Sequence, residues 1–194
     1  MKIFLAGEGR TDLGDWAREP QFRSVPPVQG CVEALLRNIA PAGWSIEGAV
    51  KWKDIHKYQS GIHRRPETRN VLGAALRARQ AGCEALVFVR DRDGDPDRAD
   101  DIEAGLREAA SIVATTRVAG GVAIRDIEAW VLACRGTIDS QSVRDTKAAL
   151  KTEHCIEHLE QKSEVFRGSD LNSLPADARS LAVWIDRVRD LFSP

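Results

Sequence analysis

Two stretches decide the reading: Lys2-Ile3-Phe4-Leu5-Ala6-Gly7-Glu8-Gly9, and Cys83-Glu84-Ala85-Leu86-Val87-Phe88-Val89-Arg90-Asp91-Arg92-Asp93. Each is a short apolar run that breaks into a polar loop carrying acids. Runs of this length read as strands covered on both faces, the habit of a parallel sheet. Working outward, Val32, Leu35, Leu36 and Ile39 recur at the spacing of one helix face, and Trp44 to Trp52 has the alternation of a strand. Pro66 to Ala81 reads as a helix with proline early and Gly82 just past its end. Ile102 to Ala110 predicts another helix, and Ser111 to Val118 a β-rich stretch. After Ile124 the pattern turns helical, over Asp126 to Arg135, Ser142 to Leu150 and Ala176 to Phe192. Strands alternating with helices predict an α/β fold: a mostly parallel, Rossmann-like sheet flanked by helices, with a small helical C-terminal extension. The expected division is a domain over 1–136 and an extension over 137–194. Arg10 to Gly30, with Pro20, Pro26 and Pro27, reads as a long loop, and long loops in compact domains usually serve function.

Composition narrows the class. The chain has 194 residues, 43% hydrophobic, and a net charge of −1, so it is no polycation built to coat nucleic acid, and any such surface must be local. No apolar run approaches the ~20 residues of a membrane span, and the N-terminus turns acidic too soon for a signal peptide, so the expected location is cytoplasmic, with no membrane partner. The four cysteines, Cys31, Cys83, Cys134 and Cys155, form no CxxC pair and signal neither a zinc knuckle nor a disulfide framework.

In an open parallel sheet, sites form beyond the carboxyl ends of the strands, and Glu8, Asp91 and Asp93 all fall there. Residues i and i+2 of an extended segment point the same way, so Asp91 and Asp93 are expected to present two carboxylates to one point, with Glu8 joining if the strands are neighbours. Three hard oxygen donors suit Mg²⁺ or Mn²⁺. Acids after strands are also common as turn and helix-capping residues, the role expected first of Asp95 or Asp97. A calcium loop fails at Asp91, because glycine falls at its fourth position and Ile102 at its twelfth. A dinucleotide fingerprint fails at Gly7-Glu8-Gly9, because Asp12 replaces the third glycine and Glu8 would face a pyrophosphate.

Gly7-Glu8-Gly9-Arg10-Thr11-Asp12 after a first strand, and Asp91-Arg92-Asp93 after a later one, resemble the two signatures of the Toprim domain, the metal-binding α/β module of topoisomerases, primases and overcoming-lysogenization-defect nucleases. Ile127-Glu128-Ala129-Trp130 resembles a further marker of small Toprim-like proteins found in bacterial and antiviral-defence settings. The resemblance covers about residues 1–136. It implies a Toprim-like fold and a Mg²⁺- or Mn²⁺-dependent phosphodiesterase, a nuclease on DNA or RNA, in antiviral defence or DNA repair. It further implies Glu8 as acid/base or metal ligand, Asp91 and Asp93 as ligands, and Glu128 as an additional acidic residue of the metal site. Asp12 stands where the nuclease branch often has Glu, leaving it and Asp95 as second-metal or supporting residues. The chain has no ATPase domain, so a separate ATPase or other defence protein is the expected partner. The alternative is a non-catalytic Toprim-like adaptor that binds a partner protein or nucleic acid.

Lys51 to Arg79 carries eight basic residues against two acids. Lys51, Lys53, Lys57, Arg64, Arg65 and Arg69 are the candidate phosphate contacts, with Trp52 and Tyr58 as platforms for unpaired bases. The equal alternative is a solvated face. His56 and His63 lie in the same stretch. His154-Cys155-Ile156-Glu157-His158 fits H-x-x-E-H, but only 36 residues follow for a third ligand and cleft, and the expectation is a solvated helix.

Overall fold

The structure, a computed structural model, describes residues 1–59 and 64–193. Four strands, β1 (Lys2–Gly7), β2 (Ser45–Lys51), β3 (Ala85–Asp91) and β4 (Arg117–Ala123), form one all-parallel sheet in the order β2-β1-β3-β4. The main connecting helices are α2 (Cys31–Ile39), α3 (Pro66–Gln80) and α4 (Arg98–Ile112), with a short α1 (Arg10–Leu13) directly after the first strand. Toward the C-terminus come α5 (Ile127–Cys134), α6 (Thr146–His154), α7 (Leu159–Gly168) and α8 (Arg179–Phe192).

The period-two alternation of a strand assigns the two cores. Ile3, Leu5, Val87 and Val89 enter one cluster with Leu35, Trp130, Phe166 and Trp184. Phe4, Ala6, Leu86 and Phe88 enter the other with Val71, Leu72 and Ile102. Thus α2, α5, α7 and α8 cover one face, and α3 and α4 the other. Residues 137–194 supply Leu150, Phe166, Leu181 and Trp184 to the first cluster, so this segment shares the sheet's own core. Since β1 is flanked by β2 on one side and β3 on the other, the chain reverses its progress across the sheet between β1 and β3, which opens a crevice at their carboxyl ends.

Several expectations need correction. Ser111 to Val118 is not a strand: α4 runs through Ile112, and the strand begins at Arg117. Gly120 and Gly121 lie inside β4. A Cβ at Gly120 would sit 2.4 Å from the Phe88 ring, so the glycine is there for a neighbour across the sheet. Arg10 to Gly30 is not a bare loop; it holds α1 and two 3₁₀ turns, pinned by buried Asp15, which accepts from the Ser24 and Val28 amides at 2.9 and 3.1 Å. The H-x-x-E-H stretch is not one helix. Cys155 takes a left-handed conformation (φ 56°), ending α6 at His154 and putting His158 at the cap of α7, so the two imidazoles do not share a helix face. Helix α7 has no counterpart among the sequence expectations. Among the described residues, no helix is long and apolar enough to cross a membrane.

Candidate metal centre

Glu8 is the first residue beyond β1, and Asp91 is the last of β3. The turn after β1 is shaped by Asp12, whose Oδ2 accepts from the backbone amides of Glu8 and Gly9. Gly7 permits this: a Cβ there would come within 2.7 Å of the Asp12 Cβ. Glu8 Oε1 then accepts from the Asp91 amide at 3.1 Å, tying the two strand ends together across the crevice. Asp93 arrives by a different route from the expected one. The strand has ended, and Asp93 with φ 48° and Gly94 with φ 75° turn the chain back, so its carboxylate converges by a tight turn and not by strand alternation. Each of Glu8, Asp91 and Asp93 offers a carboxylate oxygen, and the three oxygens lie within 4.8 Å of one another. Three hard donors at that separation fit an oxygen-coordinated divalent cation.

Two arginines that the sequence reading passed over occupy the same ground. Arg90 Nη1 pairs with Glu8 and lies 3.2 Å from Asp93 Oδ2, while its Nε is 3.3 Å from Glu67 Oε1. Arg98 Nη1 reaches Asp93 Oδ2 at 2.8 Å and the Asp91 carbonyl at 2.6 Å. Glu67 anchors both guanidiniums and also accepts from Trp52 Nε1 at 2.6 Å and Asn70 Nδ2 at 3.1 Å. The sequence signal for this was the alternation of sign in Arg90-Asp91-Arg92-Asp93, with Arg98 two turns further on.

Asp91 differs from its neighbours. Among the described residues its carboxylate has no hydrogen-bond or ion-pair partner, and burial pushes its pKa up to about 8, helped by Asp12, Asp126, Glu128 and Asp93. Burial likewise raises Asp12 to about 7, against the Gly9 amide, which lowers it. Clustered carboxylates held this way are relieved by a divalent cation.

Glu128 is not brought into the triad. It is buried on α5 and bonded to Lys162 Nζ at 2.8 Å, so it acts on Asp91 and Asp12 through its field and not as a gathered ligand. Asp12 is a backbone-holding residue, which is the supporting role. Asp95 receives the Asp97 amide at 3.1 Å and lies 3.7 Å from Arg98 Nε, opening α4 and not joining the triad. Asp126, read in the sequence only as the start of a helix, caps α5 through the Ala129 amide at 2.9 Å and accepts from Thr146 Oγ1 at 2.7 Å. An Asp directly before an apolar helical run was the available signal.

A cleft of about 400 Å³ is lined by Glu8, Asp93 and Arg90 together with Lys53 and Lys57. Lys51 ends β2, half-buried, outside that lining. Arg64, Arg65 and Arg69 turn away from the cleft. Arg64 pairs with Glu108 and stacks over Tyr58 at 5.4 Å; Arg65 reaches Asp97 and Asp101 at 3.2 and 3.3 Å; Arg69 donates to the Tyr58 carbonyl at 2.9 Å. They fasten α3 to α4 and to the 52–58 segment. Trp52 is buried against Phe88, ring centroids 5.3 Å apart, and is no base platform. His56 is exposed outside the cleft lining, and His63 lies outside the described residues.

Comparison with known protein families, with curated proteins and with solved structures finds no match for this chain.

Proposed function

We propose that the protein is a Mg²⁺- or Mn²⁺-dependent phosphodiesterase of Toprim-like fold, a cytoplasmic nuclease acting on DNA or RNA in antiviral defence or DNA repair, working with a separate ATPase or other defence protein. One observation carries this reading: the carboxylates of Glu8, Asp91 and Asp93 converge, and two of them, Glu8 and Asp93, line a cleft that Lys53 and Lys57 also line. Hydrolysis of a phosphodiester needs both poles, a metal at the scissile phosphate and cations on its neighbours. Glu8, Asp91 and Asp93 would hold the ion, which when bound polarises the phosphoryl oxygen and stabilises the leaving oxygen. Lys53 and Lys57 hold flanking phosphates, and Glu8 ligates or accepts the proton of the attacking water. Asp12 holds the turn after β1, and Asp126 caps α5 after β4.

Single- and double-stranded DNA and RNA, each incubated with the purified protein and either Mn²⁺ or a chelator, test this directly. Cleavage that requires Mn²⁺ supports it; no cleavage and no heat of Mn²⁺ binding overturns it. The second reading, a non-catalytic adaptor, is favoured by one observation, that Arg90 and Arg98 already pair with Glu8 and Asp93. An adaptor keeps its partner after Asp91→Ala with Asp93→Ala.

The cleft lysines also separate phosphate binding from fold. Lys53→Ala with Lys57→Ala is expected to flatten the salt dependence of nucleic-acid binding by roughly 0.9 log unit per lost contact on duplex DNA, or about 0.7 on a single strand. Arg65→Ala with Arg69→Ala is expected to lower thermal stability and leave that slope alone, since these arginines serve internal partners. An unchanged slope in the lysine variant would remove the cleft from the phosphate path.

A further inference from the structure

Of the two arginines beside the triad, Arg90 is the one that pairs with Glu8. Its Nη1 serves Glu8 and Asp93, its Nε lies against Glu67, and it lines the cleft that Lys53 and Lys57 also line. Its partners do not depend on it equally. Asp93 has a second cation in Arg98 at 2.8 Å. Glu67 keeps Arg98, Trp52 and Asn70. Among the described residues, only Glu8 would lose its one cation if the Nη1 end of Arg90 moved away, and Glu8 is one of the three donors that converge.

We propose that Arg90 is an exchangeable counter-cation of this site: its guanidinium balances Glu8 and Asp93 until a divalent cation takes them, and is then freed to hold a phosphate oxygen of the substrate in the adjoining cleft. The proposal rests on the reading of Glu8, Asp91 and Asp93 as metal ligands. The Nε contact with Glu67 supplies a pivot, so the exchange needs only side-chain rotation at the end of β3 and no movement of the strand. Arginine suits both duties because its planar fork pairs with carboxylate and with phosphate alike. The consequence is an ordered site. Metal binding carries the cost of displacing a partly buried ion pair, and phosphate finds its arginine only where metal is already present.

Calorimetry with Mn²⁺ alone, on the wild type, Arg90→Gln and Arg90→Lys, tests the first half; inorganic phosphate titrated into each Mn²⁺-saturated protein tests the second. Arg90→Gln is expected to bind Mn²⁺ about tenfold more tightly than the wild type and phosphate about tenfold more weakly, with Arg90→Lys between the two. Equal or weaker Mn²⁺ affinity in a cooperatively melting Arg90→Gln overturns the proposal and leaves the metal reading standing. Unchanged phosphate affinity overturns the phosphate-holding role. No Mn²⁺ binding by wild type or variants overturns the metal reading, and the proposal with it. If Arg90→Gln does not melt cooperatively, Arg90→Lys decides: a shorter, single-point ammonium is displaced more easily, so this variant should still bind Mn²⁺ about threefold more tightly than the wild type, and equality overturns the exchange.

Discussion

Asp91→Asn is expected to weaken Mn²⁺ binding by at least about a hundredfold, abolish metal-dependent cleavage, and at the same time raise the melting temperature of the metal-free protein. The two effects share a cause. Glu8 and Asp93 each have an arginine, whereas the Asp91 carboxylate has no partner among the described residues, and burial with four nearby acids lifts its pKa to about 8. A group held this way is the one that gains most from a divalent cation and costs most without it. The amide keeps the shape and removes the charge, relieving the metal-free protein by roughly 2–4 °C for each kcal/mol recovered. The same pKa values fix the pH profile. In the unfolded chain Asp12 and Asp91 lose their protons near 3.8; in the folded protein they hold them to about 7 and about 8. Across that window the unfolded state binds fewer protons, so metal-free stability falls as pH rises from about 4 to about 8 and levels off above. Saturating Mn²⁺ should flatten the decline, and calorimetric melts at four pH values with and without the ion would check it. Asp93→Ala should lack the stabilisation, because it strips Arg90 and Arg98 of a partner; relief of repulsion therefore belongs to Asp91 and not to the acidic cluster at large.

Lys162→Met is the second large effect, and it acts on folding. Lys162 and Glu128 are both buried and meet at 2.8 Å; Lys147, 4.0 Å from Glu128, is mostly exposed and offers a weak substitute. Removing one partner of a buried pair strands the other, at a cost of about 3–5 kcal/mol, or roughly 10 °C in melting temperature for a domain of this size. The loss should reach the metal centre too, since Lys162 opposes the rise in the Asp12 pKa, and Asp12 holds the Glu8 turn. Adding Glu128→Gln should restore much of the stability; a double-mutant coupling near zero would show that the pair contributes nothing beyond two independent side chains.

The parts of this architecture that sequence makes legible are those written in local periodicity. Buried strands such as Leu86 to Val89 and helices such as Pro66–Gln80 announce themselves by spacing and end signals. So do the carboxylates, because parallel strands place their C-terminal residues in one crevice. What escapes is set by partners far along the chain. The strand over Gly120 goes unread, because the residue that needs a glycine there, Phe88, lies on the neighbouring strand. Helix α7 looks like a solvated charged segment because its buried Lys162 answers a glutamate on another helix. Arg64, Arg65 and Arg69 fit a nucleic-acid surface as well as a solvated face, since nothing in a linear charge count says that Arg64 and Arg65 will meet acids in or just before α4 and Arg69 a backbone carbonyl. Asp93 converges through a left-handed turn, a backbone state that sequence spacing does not encode.

The Glu128 to Lys162 pair has a consequence in time. The two residues are 34 positions apart, so at about 5–20 residues per second the ribosome emits Glu128 some seconds before its cation. During that interval α5 cannot bury its glutamate against the sheet at reasonable cost, and Phe166 and Trp184, which complete the same face, are not yet made. Nascent chains arrested after residue 136 should therefore remain protease-sensitive, and resistance should appear only once α7 and α8 have left the exit tunnel. Resistance at the earlier arrest point would mean that the sheet closes without its late-arriving lysine.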